Sequence, residues 1–121
     1  MRLPAAALLI LALALAPAAH AQDRAPAERQ VLIDLAYVLG ESHALRQTCE
    51  GPGDMYWRSR MEDMLRVEAA DQGFVNRMTL SFNSGFAAGQ AGFPACDAPL
   101  RAEARRIAAR GRQLSARLSG P

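Results

Sequence analysis

Few residues of this chain are of the kinds that do chemistry. The two histidines are His20 and His43, and His20 lies in a segment expected to be removed. One remaining imidazole is a poor basis for a transition-metal site or a nucleophilic triad, since both lean on histidine. The HxxxH, HExxH and CxxC patterns are absent. Ser42 adjoins His43, but successive positions on a helix point about 100° apart, so the two do not form a base–nucleophile pair. His43 is therefore expected to be a packed or capping residue near the end of a first helix. Glu62, Asp63 and Glu68 could be imagined as paired carboxylates for acid–base work. Any amphipathic helix carries such spacings, and a solvated face is expected instead. The sequence reads as a non-enzyme, with no catalytic residue, no metal and no cofactor.

The two cysteines, Cys49 and Cys96, are far apart. In an exported chain an even pair defaults to a disulfide. Closing a loop of this length contributes about 4 kcal/mol in the chain-entropy account. Gly85, Gly89 and Gly92 have no following Lys-Ser/Thr and no preceding strand, so they are not a phosphate loop. Gly85 and Gly89 share a helix face and would let another helix approach closely. Trp57, Met61, Met64, Phe82 and Phe86 could line an apolar pocket for a small ligand or lipid. A single Trp in a small helical domain is more often part of the core.

Charge is the least even feature. The chain has arginine but no lysine. Residues 97–121 hold six arginines, Arg101, Arg105, Arg106, Arg110, Arg112 and Arg117, against Asp97 and Glu103. Residues 22–96 hold seven arginines against ten acids. In a cytosolic protein such a basic helix would suggest nucleic acid. Export argues against nucleic acid. It leaves two readings: a helix packed on its own acidic domain, or one that presents arginine to an anionic partner such as a lipid head group, a polysaccharide or an acidic protein face.

The export reading rests on residues 1–21. Arg2 gives a positive start, Ala5 to Ala16 is an unbroken apolar run, and Pro17 breaks it. Ala19-His20-Ala21 then puts small residues at the −3 and −1 positions of a signal-peptidase site, with cleavage after Ala21. No second apolar run is long enough to span a bilayer, so the mature chain is expected to be periplasmic or secreted. After a short mobile lead, Gln22 to Pro26, residues 27–121 make one domain of modest core.

Helical periodicity dominates that domain. Val31, Leu32, Leu35, Val38, Leu39, Ser42 and Leu45 define one broad face of a first helix, about Ala27 to Cys49. Gly51-Pro52-Gly53 breaks it. Asp54 caps a second helix to about Ala70, with Trp57, Met61, Met64 and Leu65 inward. Asp71 caps a third, with Phe74, Val75, Met78, Phe82 and Phe86 inward. Asp97 caps a fourth, in which Leu100, Ala104, Ile107, Gly111, Leu114 and Leu118 make a heptad-like seam. The fold class expected is all-α, a four-helix, antiparallel bundle-like domain with one disulfide tying the end of the first helix to the turn before the fourth.

Leu39-Gly40-x-x-His43-x-Leu45-Arg46-x-x-Cys49, then Trp57, Phe82-Asn83-x-Gly85-Phe86 and Cys96, resembles a family of small exported alphaproteobacterial proteins of unknown function. The resemblance covers about Gln30 to Leu118 and implies export and a single domain. It brings no activity, cofactor or site residue. The function expected is that of an interaction or accessory module in the cell envelope, with an unknown envelope protein or anionic surface as partner. The alternative is a small-ligand or lipid carrier.

Overall fold

A computed structural model describes residues 20–118. Nearly all of the signal segment therefore lies outside the described residues. Those described form a 3-10 turn (Ala21–Asp23) and four helices: α1 (Pro26–Glu50), α2 (Tyr56–Val67), α3 (Gln72–Gly92) and α4 (Ala98–Leu118). The all-α expectation holds, and no strand occurs among the described residues.

The helix ends follow from local chemistry. Pro26 opens α1, where its missing N–H costs nothing. Gly51 closes it at φ 106°, a conformation that suits glycine, and its N–H reaches the Gln47 carbonyl at 2.8 Å. Asp71 and Asp97 cap as expected: their carboxylates accept from the N–H groups of Phe74 (2.9 Å) and Leu100 (3.0 Å). Asp54 differs slightly. Met55 is the N-cap of α2, and Asp54 accepts from Tyr56 N–H while Arg46 holds it. α2 stops at Val67, where Ala69 takes a left-handed φ of 45° that turns the chain into α3.

The helices alternate in direction, but they do not form a square bundle. α1 is the hub on which α2, α3 and α4 all pack, α3 most extensively. The α1–α3 pair is parallel: Ser81 donates to the Ile33 carbonyl at 2.7 Å, Gly85 meets Tyr37 and Gly89 meets Ala44. In a square up-down-up-down bundle this pair would be diagonal and apart. Glycines draw it together. A Cβ at Gly40 would collide with the Phe82 carbonyl, and one at Gly85 with the Tyr37 carbonyl. A Cβ at Gly89 would stand 2.7 Å from that of Ala44. The packing role expected of Gly85 and Gly89 is therefore present, with Gly40 as their counterpart on α1.

The core divides in two around α1. Leu32, Ala36 and Leu39 join Met61 of α2 and Phe74, Met78 and Phe82 of α3. Val31, Val38 and Leu45 join Leu100, Ile107 and Leu114 of α4. One expectation changes here, and it concerns Glu68. Arg24, in the lead before α1, makes two 2.9 Å bonds to the Glu68 carboxylate, and Ala21, the last residue of the expected leader, donates its N–H to the Glu68 carbonyl at 2.8 Å. Glu68 itself is only 5 % exposed, so it is not on a solvated face. It is buried because it anchors Arg24, a pairing 44 residues away that periodicity does not register.

Candidate functional site

α2 and α4 flank α1 without closing over it. Between them lies an open groove of about 860 Å³. Its floor is Leu35, Val38, Leu39, Ser42 and Leu45 of α1. One wall is α4, through Leu100, Ala104, Ile107, Ala108, Gly111 and Ser115. Trp57 of α2 contributes to the other side, and Cys49 and Cys96 stand at one end. Counting from Leu100 to Ser115 at 1.5 Å per residue, the groove runs for about 22 Å.

The α4 seam explains why the groove exists. Leu100, Ile107 and Leu114, seven residues apart, are buried against α1. The intervening Ala104 and Gly111 face the groove and are too small to fill it. Similarly, α1 offers a face broader than its neighbours cover, and Leu35 and Ser42 are only half-buried. The disulfide forms between Cys49 and Cys96 as expected, with Cα atoms 5.0 Å apart. It pins the start of α4 beside the end of α1, and both cysteines are exposed.

The pocket anticipated from Trp57, Met61, Met64, Phe82 and Phe86 is not where the groove lies. Only Trp57 lines the groove. Met61 and Phe82 are buried core, and Met64 packs on that core. Phe86 packs on the second cluster. The apolar residues read from α2 and α3 are used up closing the α1–α3 contact, whereas the open surface belongs to α1 and α4.

His43 is buried, 4 % exposed, with Phe82 and Phe86 at ring-centroid distances of 5.7 and 5.2 Å. It does not line the groove. Its Nδ1 has no hydrogen-bond partner. Burial, with help from Arg58, holds its pKa below the ordinary 6.5, against a smaller upward pull from Asp54. This is a packed histidine, as the sequence suggested.

The six arginines of α4 divide by face. At 100° per residue, Arg101, Arg105 and Arg112 fall within about 40° of one another on the groove side. Arg106, Arg110 and Arg117 form a second stripe of identical spacing about 140° away. On that far stripe, Arg106 pairs with Glu103 at 2.7 Å and Arg110 with Glu41 of α1 at 3.1 Å. Burial nevertheless raises the Glu41 pKa, an effect Arg110 only partly offsets. On the groove stripe Arg101 and Arg112 line the groove, Arg105 is exposed beside them, and none of the three has an acidic partner among the described residues. The other charges at the groove are Arg46, paired with Asp54 at 2.9 Å, and Glu50. The basic helix thus pairs arginines with the domain's own acids on one face and carries arginines without an ion pair beside the groove on another. The repeated 4,7 spacing was the signal in the sequence that separates them.

No curated protein and no solved structure matches the chain. A family model does match, over residues 26–120, from the first residue of α1 to beyond the end of α4. By that match the chain belongs to the family described as "Protein of unknown function (DUF2385)".

Proposed function

We propose that this protein is a non-catalytic binding module of the cell envelope, and that the groove between α1, α2 and α4 is where it takes its partner. The observation that carries this is the groove itself: an open, largely apolar cleft of about 860 Å³, held in shape by a glycine-tightened helix pair behind it and a disulfide at its end. Concave, mostly apolar clefts of roughly 300–1,000 Å³ are where proteins take ligands and partners. His43 lies in the packed core with no carboxylate hydrogen-bonded to it, so the residue best suited to acid–base work is not presented to a substrate. An envelope location fits three features. They are the leader sequence, the disulfide, and helices of which none among the described residues is long and apolar enough to cross a membrane.

The carrier reading loses its original basis, because four of the five residues it named pack in the two cores. A test uses Ala108→Trp, which puts a large ring into the groove from an exposed position of α4. Affinity capture from envelope extract should recover a partner with the wild type and lose it with Ala108→Trp, circular dichroism being unchanged. Equal recovery would refute the groove as the binding surface.

A further inference from the structure

We infer that the occupant of the groove is an amphipathic helix with carboxylates along one edge, which pair with Arg101, Arg105 and Arg112. This rests on the reading of the groove as a binding surface and adds the chemistry of what enters it.

Shape favours a helix. The groove is straight and open and follows two packed helices for about 22 Å, the length of about four helical turns. The small residues Ala104, Ala108 and Gly111 form its α4 wall, which lets a helix backbone approach closely. Helix-in-groove docking reads just such an apolar stripe.

Charge then fixes the edge. Arg106 and Arg110 on the far stripe are satisfied within the domain, whereas none of the groove-side three makes an ion pair among the described residues, where Glu50 is the one acid lining the groove against Arg46, Arg101 and Arg112. Their steps of four and seven residues spread the guanidinium groups over about 16 Å of α4. A single anionic lipid drawn into the groove carries its charge in one head group and cannot answer all three at once. A helix lying alongside can, if its own acids step by four and seven in either direction. A second copy offering its α4 would set arginine against arginine, which is repulsive.

Trp57 provides the readout, since it is the chain's single tryptophan and lines the groove. The probes are tryptophan-free, 18-residue helical peptides with leucine along one face and glutamine elsewhere. Two of them carry three Glu at steps of four and seven, one in each direction, and their counterparts carry Gln at those positions. Titration at low salt should change Trp57 emission. One Glu peptide should bind roughly tenfold more tightly than its Gln counterpart, as three exposed ion pairs allow. Arg101→Gln/Arg105→Gln/Arg112→Gln should remove that advantage, and Arg106→Gln/Arg110→Gln/Arg117→Gln should keep it. Circular dichroism of both triple variants checks that the fold is intact. If Glu and Gln peptides bind alike, the acidic edge is refuted while the groove reading stands. If neither the peptides nor phosphatidylglycerol vesicles alter Trp57 emission, both fall. If phosphatidylglycerol vesicles bind and the peptides do not, the occupant is a lipid and the inference is overturned. Light scattering that shows a dimer which the peptides dissociate would instead assign the groove to a second copy.

Discussion

Gly85→Ala adds one methyl group and should destabilise the domain more than most changes of that size. The added Cβ would stand 2.9 Å from the Tyr37 carbonyl carbon and 3.1 Å from the Glu41 nitrogen, with the Tyr37 oxygen closer still. All three are backbone atoms of α1 and cannot rotate aside, so the two helices must part. Overpacking of a core costs about 1–3 kcal/mol, and an unyielding backbone contact belongs at the upper end. Alanine returns about 1 kcal/mol of helix propensity. The net loss should be about 2 kcal/mol, or a fall in Tm of about 8–16 °C for a domain this size. Gly92→Ala is the internal control: it lies at the end of the same helix with nothing within 4 Å of its added Cβ. It should be neutral or slightly stabilising. Gly40→Ala attacks the same contact from α1, and the double variant with Gly85→Ala should cost less than the two singly, because the helices have already separated. Urea unfolding followed by circular dichroism measures all four. If Gly85→Ala matches the wild type, the glycine-closed α1–α3 contact is not what organises this fold.

Other outcomes follow from the packing. Reduction of the Cys49–Cys96 bond should cost up to about 4 kcal/mol, and hydrogen exchange should rise most in α4, which packs chiefly on α1. Glu68→Ala leaves the largely buried Arg24 guanidinium with only the more exposed Glu28 as partner and should cost about 2 kcal/mol by thermal unfolding. Because the folded pKa of His43 is depressed, the unfolded chain binds the extra proton first as pH falls. Stability should be level above the ordinary 6.5 and decline below it, down toward the depressed folded value. In His43→Phe, pH-jump unfolding should show that decline reduced, and an unchanged slope would mean His43 is not its source.

The sequence carried the four helices, the caps at Asp71 and Asp97, and the disulfide, because each rests on local spacing or a pairing without alternatives. It was silent on which helices touch. Periodicity marks an apolar face but not the neighbour that covers it, so Met61 and Phe82 read equally well as pocket or core. The close approach at Gly40 was missed because a glycine inside a helical pattern has a meaning only when its partner is known. Glu68 looked like any surface acid until Arg24 arrived from 44 residues away. The groove was the least visible feature, since it arises from what α2 and α4 fail to cover. The arginine stripes were legible in principle: Arg101, Arg105 and Arg112 repeat as Arg106, Arg110 and Arg117, five positions on. Only the structure says that Arg106 and Arg110 of one stripe are paired and that the other stripe lies beside the groove.

The most direct test of the binding account is amide chemical-shift mapping on the folded, disulfide-bonded domain as the Glu-edged helical peptide is added. The largest shifts are expected at the groove residues Leu35, Ser42, Trp57, Ala104, Ala108 and Gly111, with Thr79 and Ala87 on the exposed side of α3 unmoved. Shifts centred on α3 or on Arg106, Arg110 and Arg117, with the groove silent, would contradict it.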